Sequence, residues 1–503
     1  MHKICWQGLD KWITEKKLAK IVKTLLPDVS GIIMARPSKK SFAFLQFPSQ
    51  VDLDAFLERV QGSEDFKKKF KFKQATDNST IKGKTVEELI LPRPCEITEQ
   101  ATELGPIRDK ITPLWNVPYP EQLASKKLTV ENEFSKFLNE MKVRTRKSGT
   151  VFPSWLEGGL SVMDVKESPV TENYRNKTEF NIGFFEEGVV KVGFTNGKMA
   201  AGNLRIESPS SCSNIGEVAK EFAVRVEEIV KKSGVPVFDT KTNIGIWRQA
   251  VIRNSVRSGE TLACVFINDS DHTPKIESLL LDLAPFYTTV ALVTLPNKVK
   301  ILSGSGLITE TILGKKYQIS PLSFFQVNTL GCEVLYQEVV NLVNGDYLLD
   351  ICCGTGSIGI SCSDKVKKVI GIEIIAEAVE DAKKNAEING VQAEYKAGKA
   401  EDLIKEMLRP LQGESIFAVV DPPRNGLHKN ILQCLRTTKG LNHIVYVSCN
   451  PTTLFQNLSD LCCPENNKVK GPNFVPLSIQ PVDMFPQTPH IETVVYLKRS
   501  TIL

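Results

Sequence analysis

LLDICCGTGSIGI (348–360) reads as an apolar strand that runs into a glycine turn and then a helix. Glycines let the backbone turn tightly there and approach a ligand closely. The spacing Gly354-Thr355-Gly356 is not the GxGxxG dinucleotide fingerprint. From residue 321 onward, strand-like runs alternate strictly with helical patterns: YLLDIC, KVIGIE, AEYKAG, FAVVDP and HIVYVS. That is the βαβ signature of an open parallel sheet, which binds ligands at the carboxyl ends of its strands. An α/β domain is therefore expected over 321–503.

The strand after the glycine turn ends at Glu373, an acid placed to accept both hydroxyls of a ribose. No phosphate-binding Lys-Ser/Thr follows the turn, which disfavours ATP. The fourth strand ends in AVVDPPRNGL (418–427), which puts Asp421 at a ligand-facing strand end. The fifth ends in SCNP, with Cys449 at the strand tip and Pro451 opening a helix. Glu492 follows Thr488-Pro489-His490-Ile491 and precedes a last strand. Cys434, Cys264 and the pair Cys462-Cys463 read as small buried hydrophobes, whereas Cys449 sits at the sheet's ligand edge. A thiol nucleophile and a carboxylate base downstream of a cofactor turn suit covalent catalysis, which splits one hard step into easier ones.

The glycine turn followed by an acid at Glu373 resembles class I S-adenosylmethionine-dependent methyltransferases, whose catalytic domain is Rossmann-like. Arg424 stands where adenine amino-methyltransferases carry a stacking aromatic, and Pro423 and Arg424 stand where RNA cytosine-5 enzymes carry a cysteine. DPPRNGL, SCNP and TPHIE in that order, with SPLSFFQVN (320–328) upstream, resemble the RNA uracil-5-methyltransferases over roughly 145–500. The resemblance implies S-adenosyl-L-methionine as cofactor, held by Gln326, Cys352, Gly354, Gly356, Glu373 and Asp421. It implies Cys449 as the nucleophile that adds to C6 of uracil, and Glu492 as acceptor of the C5 proton, with His490 the rival base. Asp421 would position the uracil or the sulfonium end, and Arg424 would contact the base or the backbone. Cys352 and Ser357 replace the Tyr and Asn of bacterial relatives, so backbone contact is what carries over at the turn.

Residues 2–74 follow a β-α-β-β-α-β rhythm, and KSFAFLQF (40–47) is close to the RNP1 pattern of RNA recognition motifs. Phe42 and Phe44 stand where that family stacks bases, with Ser41 in place of Gly and Cys5 in place of the first-strand aromatic. The alternative is a ferredoxin-type module for protein contact. An RNA recognition motif-like domain is expected over 1–75 and a linker over 76–118. A central α+β RNA-binding domain is expected over 119–320, opening with a long helix whose apolar side carries Leu128, Phe134, Phe137, Leu138 and Met141. Arg175, Lys177 and Arg248 lie near strand starts as possible phosphate contacts. The combination of the N-terminal module with this catalytic half most resembles the eukaryotic tRNA branch of the family. That implies tRNA as partner and the T-loop uridine at tRNA position 54 as target, with ribosomal or messenger RNA, or a tRNA-folding role, as alternatives.

Composition bounds the rest. At 503 residues the chain exceeds one core, and 42% apolar with 24% charged residues is ordinary for a soluble globular protein. No apolar run reaches the ~20 residues of a membrane span, and MHKICWQGLD has no signal-peptide core. Twelve cysteines without CxxC or Cys/His spacing give neither a disulfide framework nor a metal site. A reducing compartment, cytosol or nucleus, is expected. The net charge of +5 is mild, and the lysines at 67, 68, 69, 71 and 73 read as a solvated face. The chain begins almost at its first strand, so a longer native N-terminus is an open expectation. Oligomeric state has no signal here.

Overall fold

The computed structural model describes residues 2–7, 15–26, 28–35, 42–61, 71–74, 84–86, 104–150, 153–186, 188–197, 204–239, 242–411 and 413–500. Two compact units result, Met1–Glu103 and Leu104–Leu503.

The first unit is a five-stranded antiparallel sheet in the order Lys71–Gln74, His2–Gln7, Phe42–Phe47, Ile33–Ala35, Lys84–Thr85, with helices Glu15–Leu25 and Gln50–Gln61. The chain order is the ferredoxin-type βαββαβ. Period-two alternation decides its faces. Ala43, Leu45 and Phe47 join Ile4 and Trp6 in the core, while Phe42 and Phe44 stand half-exposed on the opposite face. Their rings meet edge to face at 5.6 Å, and Cys5 is the cross-strand partner of Phe44. Ser41 and the lysines at 67–69 lie outside the described residues.

Of the stretch 76–118, Lys84–Thr85 pairs with Ile33–Ala35, and Ile107–Ile111 is a short helix of the second unit. A seven-stranded central sheet follows, from Lys298–Ser303 through Thr289–Thr294, Thr261–Ile267, Trp247–Asn254, Lys177–Glu186 and Val189–Asn196 to Arg205–Glu207. The helices Glu217–Ser233 and Thr273–Leu280 cover one face of it, with Phe222, Val226, Ile276 and Leu280 in the shared core.

The catalytic sheet runs Ala393–Ala397, Lys368–Glu373, Tyr347–Ile351, Ile416–Val420, Leu441–Ser448, Glu492–Arg499, Phe474–Val482. The first five strands are parallel and the last two join antiparallel. Ile416–Val420 is buried throughout, as a strand covered on both faces must be. Strand order reverses at Tyr347–Ile351, where a ligand crevice opens beyond the strand ends. This is the class I methyltransferase arrangement.

The long helix Tyr119–Ser148 lies against this sheet's flank. Its buried stripe is Gln122, Lys126, Val130, Phe134, Phe137, Met141 and Thr145. Leu128 faces solvent at 55% exposure, because two residues from Val130 is more than half a helical turn away. Phe134 and Phe137 pack on Phe455, with ring centroids 5.7 and 5.6 Å apart. No helix among the described residues is long and apolar enough to cross a membrane.

Candidate active site

One cleft of about 1840 Å³ opens at the carboxyl ends of the catalytic strands. Gln326, Cys352, Gly354, Glu373, Asp421, Arg424, Cys449 and Glu492 all line it, as does Arg175, two residues before the central-sheet strand Lys177–Glu186. Residues scattered through the sequence are gathered here because parallel strands end on one edge of a sheet.

The glycine turn supplies the floor. Cys352, Gly354 and Gly356 all have positive φ, at 62°, 53° and 78°. Cys352 thus occupies a left-handed conformation that side chains seldom adopt. A Cβ at Gly354 would meet nothing within 4 Å. Gly356 does not line the cleft: a Cβ there would lie 2.8 Å from the Tyr395 hydroxyl and 3.2 Å from the Ala382 Cβ, so packing beneath the turn demands its glycine. Glu373 is locked by three backbone amides. Its Oε2 accepts from Gly354 N–H at 3.1 Å, and its Oε1 from Ile374 and Ile375 N–H at 2.8 and 3.0 Å. A carboxylate fixed in this way keeps acceptor capacity for a ribose diol. The residues present therefore fit a nucleoside cofactor.

Cys449 and Glu492 come together through strand pairing. The register of Leu441–Ser448 against Glu492–Arg499 ends with Ser448 opposite Thr493, and one further step sets Cys449 beside Glu492. Cys449 precedes Asn450, whose side chain caps the helix Pro451–Cys462 by accepting from Thr452 N–H at 3.1 Å. Burial pushes the Cys449 thiol up to about 11, with Glu492 and Asp421 adding to the rise and Arg424 opposing it. Burial, with the neighbouring Asp421 charge, likewise holds Glu492 well above the carboxylate range. Asp421 itself is raised to about 7 by burial. Glu492 is 5% exposed and its Oε2 has no hydrogen-bond partner. An unsatisfied acceptor at a cleft wall costs ~1–3 kcal/mol unless a ligand meets it.

Arg424 owes its place to a turn. Its carbonyl accepts from Asn450 Nδ2 at 3.1 Å and from the Thr453 hydroxyl at 3.0 Å, which ties the Asp421–Leu427 loop to the helix Pro451–Cys462 that follows Cys449. Asn457 fixes the other end, accepting from Leu427 N–H at 2.6 Å and from the Tyr446 hydroxyl at 2.7 Å. Burial and the charges of Arg424, Lys126 and Arg175 push His490 down, which favours its neutral ring.

The segment bearing Gln326 is held by a buried guanidinium. Arg253 donates to the carbonyls of Phe325 and Gln326 at 3.2 and 3.5 Å and to Asn176 Oδ1 at 3.1 Å. Asn328 caps the next helix and donates from Nδ2 to the Met484 carbonyl at 3.0 Å. Arg175 donates to the Lys177 carbonyl at 3.1 Å. Lys177 pairs with Glu179 at 2.7 Å and Arg248 lies 3.7 Å over the Phe238 ring; neither lines the cleft. Asn457, Arg253 and Lys126 lie in no motif, whereas Asn328 closes the SPLSFFQVN stretch; of the first three only Lys126, a polar residue inside an apolar helical stripe, carries a local signal. Among the described residues there is no group of three or more His, Cys, Asp or Glu side chains able to hold a metal.

A family model described as tRNA (Uracil-5-)-methyltransferase matches residues 269–500. The chain is 35% identical over 427 residues to tRNA (uracil-5-)-methyltransferase homolog A of Mus musculus, covering 78% of this chain and 69% of that protein. It is 34% identical to homolog B of Danio rerio, covering 78% and 86%. Its structure resembles Pyrococcus abyssi tRNA (uracil-54, C5)-methyltransferase, crystallised with S-adenosyl-L-homocysteine, with a TM-score of 0.55 and 25% identity over 76% of this chain and 84% of that one. A class I sheet, a glycine turn facing a locked acid, and these likenesses over most of the chain lead to one conclusion: the chain belongs to the tRNA (uracil-5-)-methyltransferase family, whose methyl donor is S-adenosylmethionine.

Proposed function

We propose that this enzyme methylates C5 of the T-loop uridine at tRNA position 54 through a covalent bond between Cys449 and C6. The observation that carries the reading is the pairing of a thiol and an unsatisfied carboxylate on neighbouring strand ends, both in the cleft that holds the glycine turn. The Pyrococcus relative of known structure is named for uracil-54, which supports the choice of position.

C5 of uracil is a weak nucleophile. Addition of the Cys449 thiolate at C6 moves electron density onto C5 and the C4 carbonyl oxygen. Arg424 favours the thiolate, and the N-terminus of the Pro451–Cys462 helix adds to that. S-adenosylmethionine, when bound, would supply an electrophilic methyl to C5, with the electrons of the broken S–CH3 bond staying on sulfur as S-adenosylhomocysteine leaves. Glu373 and the backbone of the glycine turn would hold the ribose, and Gln326 would hold the amino-acid end. Glu492 then accepts the C5 proton, the C5–C6 double bond re-forms, and the sulfur leaves C6 as thiolate. A carboxyl held above the usual range is a stronger base once ionised, which suits this step. His490, kept neutral, orients the loop. A stacked T-loop uridine must be extruded first, at a cost of a few kcal/mol. Arg175 and Arg424 at the cleft wall, and the Phe42 and Phe44 face of the first unit, are the RNA contacts in this reading.

Transfer RNA substituted with 5-fluorouridine tests it. Fluorine at C5 leaves no proton to remove, so the sulfur–carbon bond should persist. Peptide sequencing should find it on Cys449, and RNA mapping should find it at position 54. An adduct elsewhere, or full activity of Cys449→Ala, would overturn the reading.

A further inference from the structure

The helix Tyr119–Ser148 lies outside the 269–500 region that the family model matches, yet it touches both halves of the site. Its C-terminal half grips the helix Pro451–Cys462 that follows Cys449. Phe134 and Phe137 pack on Phe455, Ser459 donates to Glu140 at 2.9 Å, and Arg144 donates to the Ser459 carbonyl at 3.0 Å and to Asp460 at 2.9 Å. Its N-terminal half grips the loop that leads into Glu492. Gln122 accepts from Gln487 N–H at 2.7 Å. Lys126, 1% exposed, donates to Asp483 Oδ1 at 2.6 Å and to the Phe485 carbonyl at 3.0 Å.

That ion pair sits at the root of the loop. Asp483 Oδ1 also accepts from Phe485 N–H at 3.0 Å, so one carboxylate oxygen folds the start of the turn while the ammonium closes it. The Phe485 carbonyl in turn accepts from the Thr488 hydroxyl at 2.8 Å, and that hydroxyl accepts from His490 N–H at 3.3 Å. A chain of hydrogen bonds thus runs from Lys126 to two residues before Glu492. A buried ion pair contributes little net stability compared with apolar residues of the same size, so its usefulness is better sought in geometry.

We infer that Lys126 is a positioning residue for proton removal at C5: through Asp483 and the Phe485 carbonyl it sets the Asp483–Ile491 loop, and hence the carboxyl of Glu492, against a nucleophile that the same helix braces at its other end. This rests on the proposed role of Glu492. The step it governs is late. The Cys449–C6 bond forms and C5 gains its methyl without Glu492, and only the departure of the C5 proton and of the sulfur needs the carboxyl in place.

The full-length enzyme with Lys126→Met and Asp483→Asn together tests this. Both charges are removed, and the Asp483→Asn change keeps an oxygen for Phe485 N–H. Lys126→Met alone would strand a buried carboxylate and fail to fold. The measurements are turnover on unmodified tRNA, S-adenosylhomocysteine affinity, the rate of adduct formation with 5-fluorouridine tRNA, and the fraction of enzyme held covalently on ordinary tRNA in the steady state. Turnover should fall 10- to 100-fold. Affinity and the fluorouridine adduct rate should stay within about threefold of wild type, and covalent enzyme on ordinary tRNA should rise, as in Glu492→Gln. Lys126→Arg should recover part of the turnover. Unchanged turnover would overturn the inference, and so would a parallel loss of adduct formation and turnover, the mark of general damage. Glu492→Gln separates the two readings. If it accumulates no adduct, the base assignment falls. Positioning then stands or falls by whether the double variant is blocked at the same step as Glu492→Gln.

Discussion

At the scale of single residues, charge inside a closed site governs behaviour. The Cys449 thiol, pushed up to about 11, is protonated at neutral pH in the free enzyme. Adduct formation with 5-fluorouridine tRNA should therefore rise with pH between 7 and 9. Arg424→Ala removes a favourable charge acting on that sulfur, and each unit of further rise lowers the thiolate fraction about tenfold. A stopped-flow adduct assay at pH 7.5 should show that loss, and equal rates would remove Arg424 from the mechanism. Asp350 offers a second test. It is fully buried, its Oδ2 accepts from Gly359 N–H at 2.9 Å, its Oδ1 has no partner, and burial raises it to about 7. A carboxyl raised by folding destabilises the native state as pH climbs from its unfolded value near ~4 to its folded one, and no further above that. The melting temperature of Asp350→Asn should thus gain on wild type between pH 5 and 8, by an amount reflecting up to a few kcal/mol. No relative gain would show that Asp350 is already ionised at low pH.

At the scale of elements, the site depends on how closely strand and turn approach each other. A Cβ on Gly371 would lie 2.2 Å from Cδ1 of Tyr395 and 3.0 Å from the Cys353 sulfur. Tyr395 in turn supports Gly356 from beneath the turn. Gly371→Ala should cost ~1–3 kcal/mol through overpacking. It should also weaken S-adenosylhomocysteine binding, measured by calorimetry, because relief of the clash must move the cofactor turn. The strands that build this site were legible because each is a short apolar run closed by a ligand-edge residue: Glu373, Asp421, Cys449. Their adjacency was less so. That Cys449 meets Glu492 follows from an antiparallel strand inserted between two others, a register no local pattern encodes. The long helix shows the same limit. Its aromatic stripe is visible in the sequence, but the structure turns Leu128 to solvent rather than into that stripe, and the partner of Lys126, Asp483, lies 357 residues away.

At the scale of the whole molecule, the class I fold and the family are legible in the motifs of the C-terminal half, while the first unit has a ferredoxin-type fold, which does not by itself fix a use. Phe42 and Phe44 stand on the face away from the core. Single-strand stacking is worth ~1–3 kcal/mol per base. If that face binds RNA, changing both to Ala should raise KM for tRNA at least tenfold with kcat nearly unchanged, and steady-state kinetics decide it. An unchanged KM would assign the face to protein contact.

The order of the catalytic strands along the chain has a further result. Glu492–Arg499 follows both Leu441–Ser448 and Phe474–Val482 along the chain, yet it sits between them in the sheet. Until that later strand is inserted, the sheet has a gap between its two earlier neighbours and Cys449 has no Glu492 beside it.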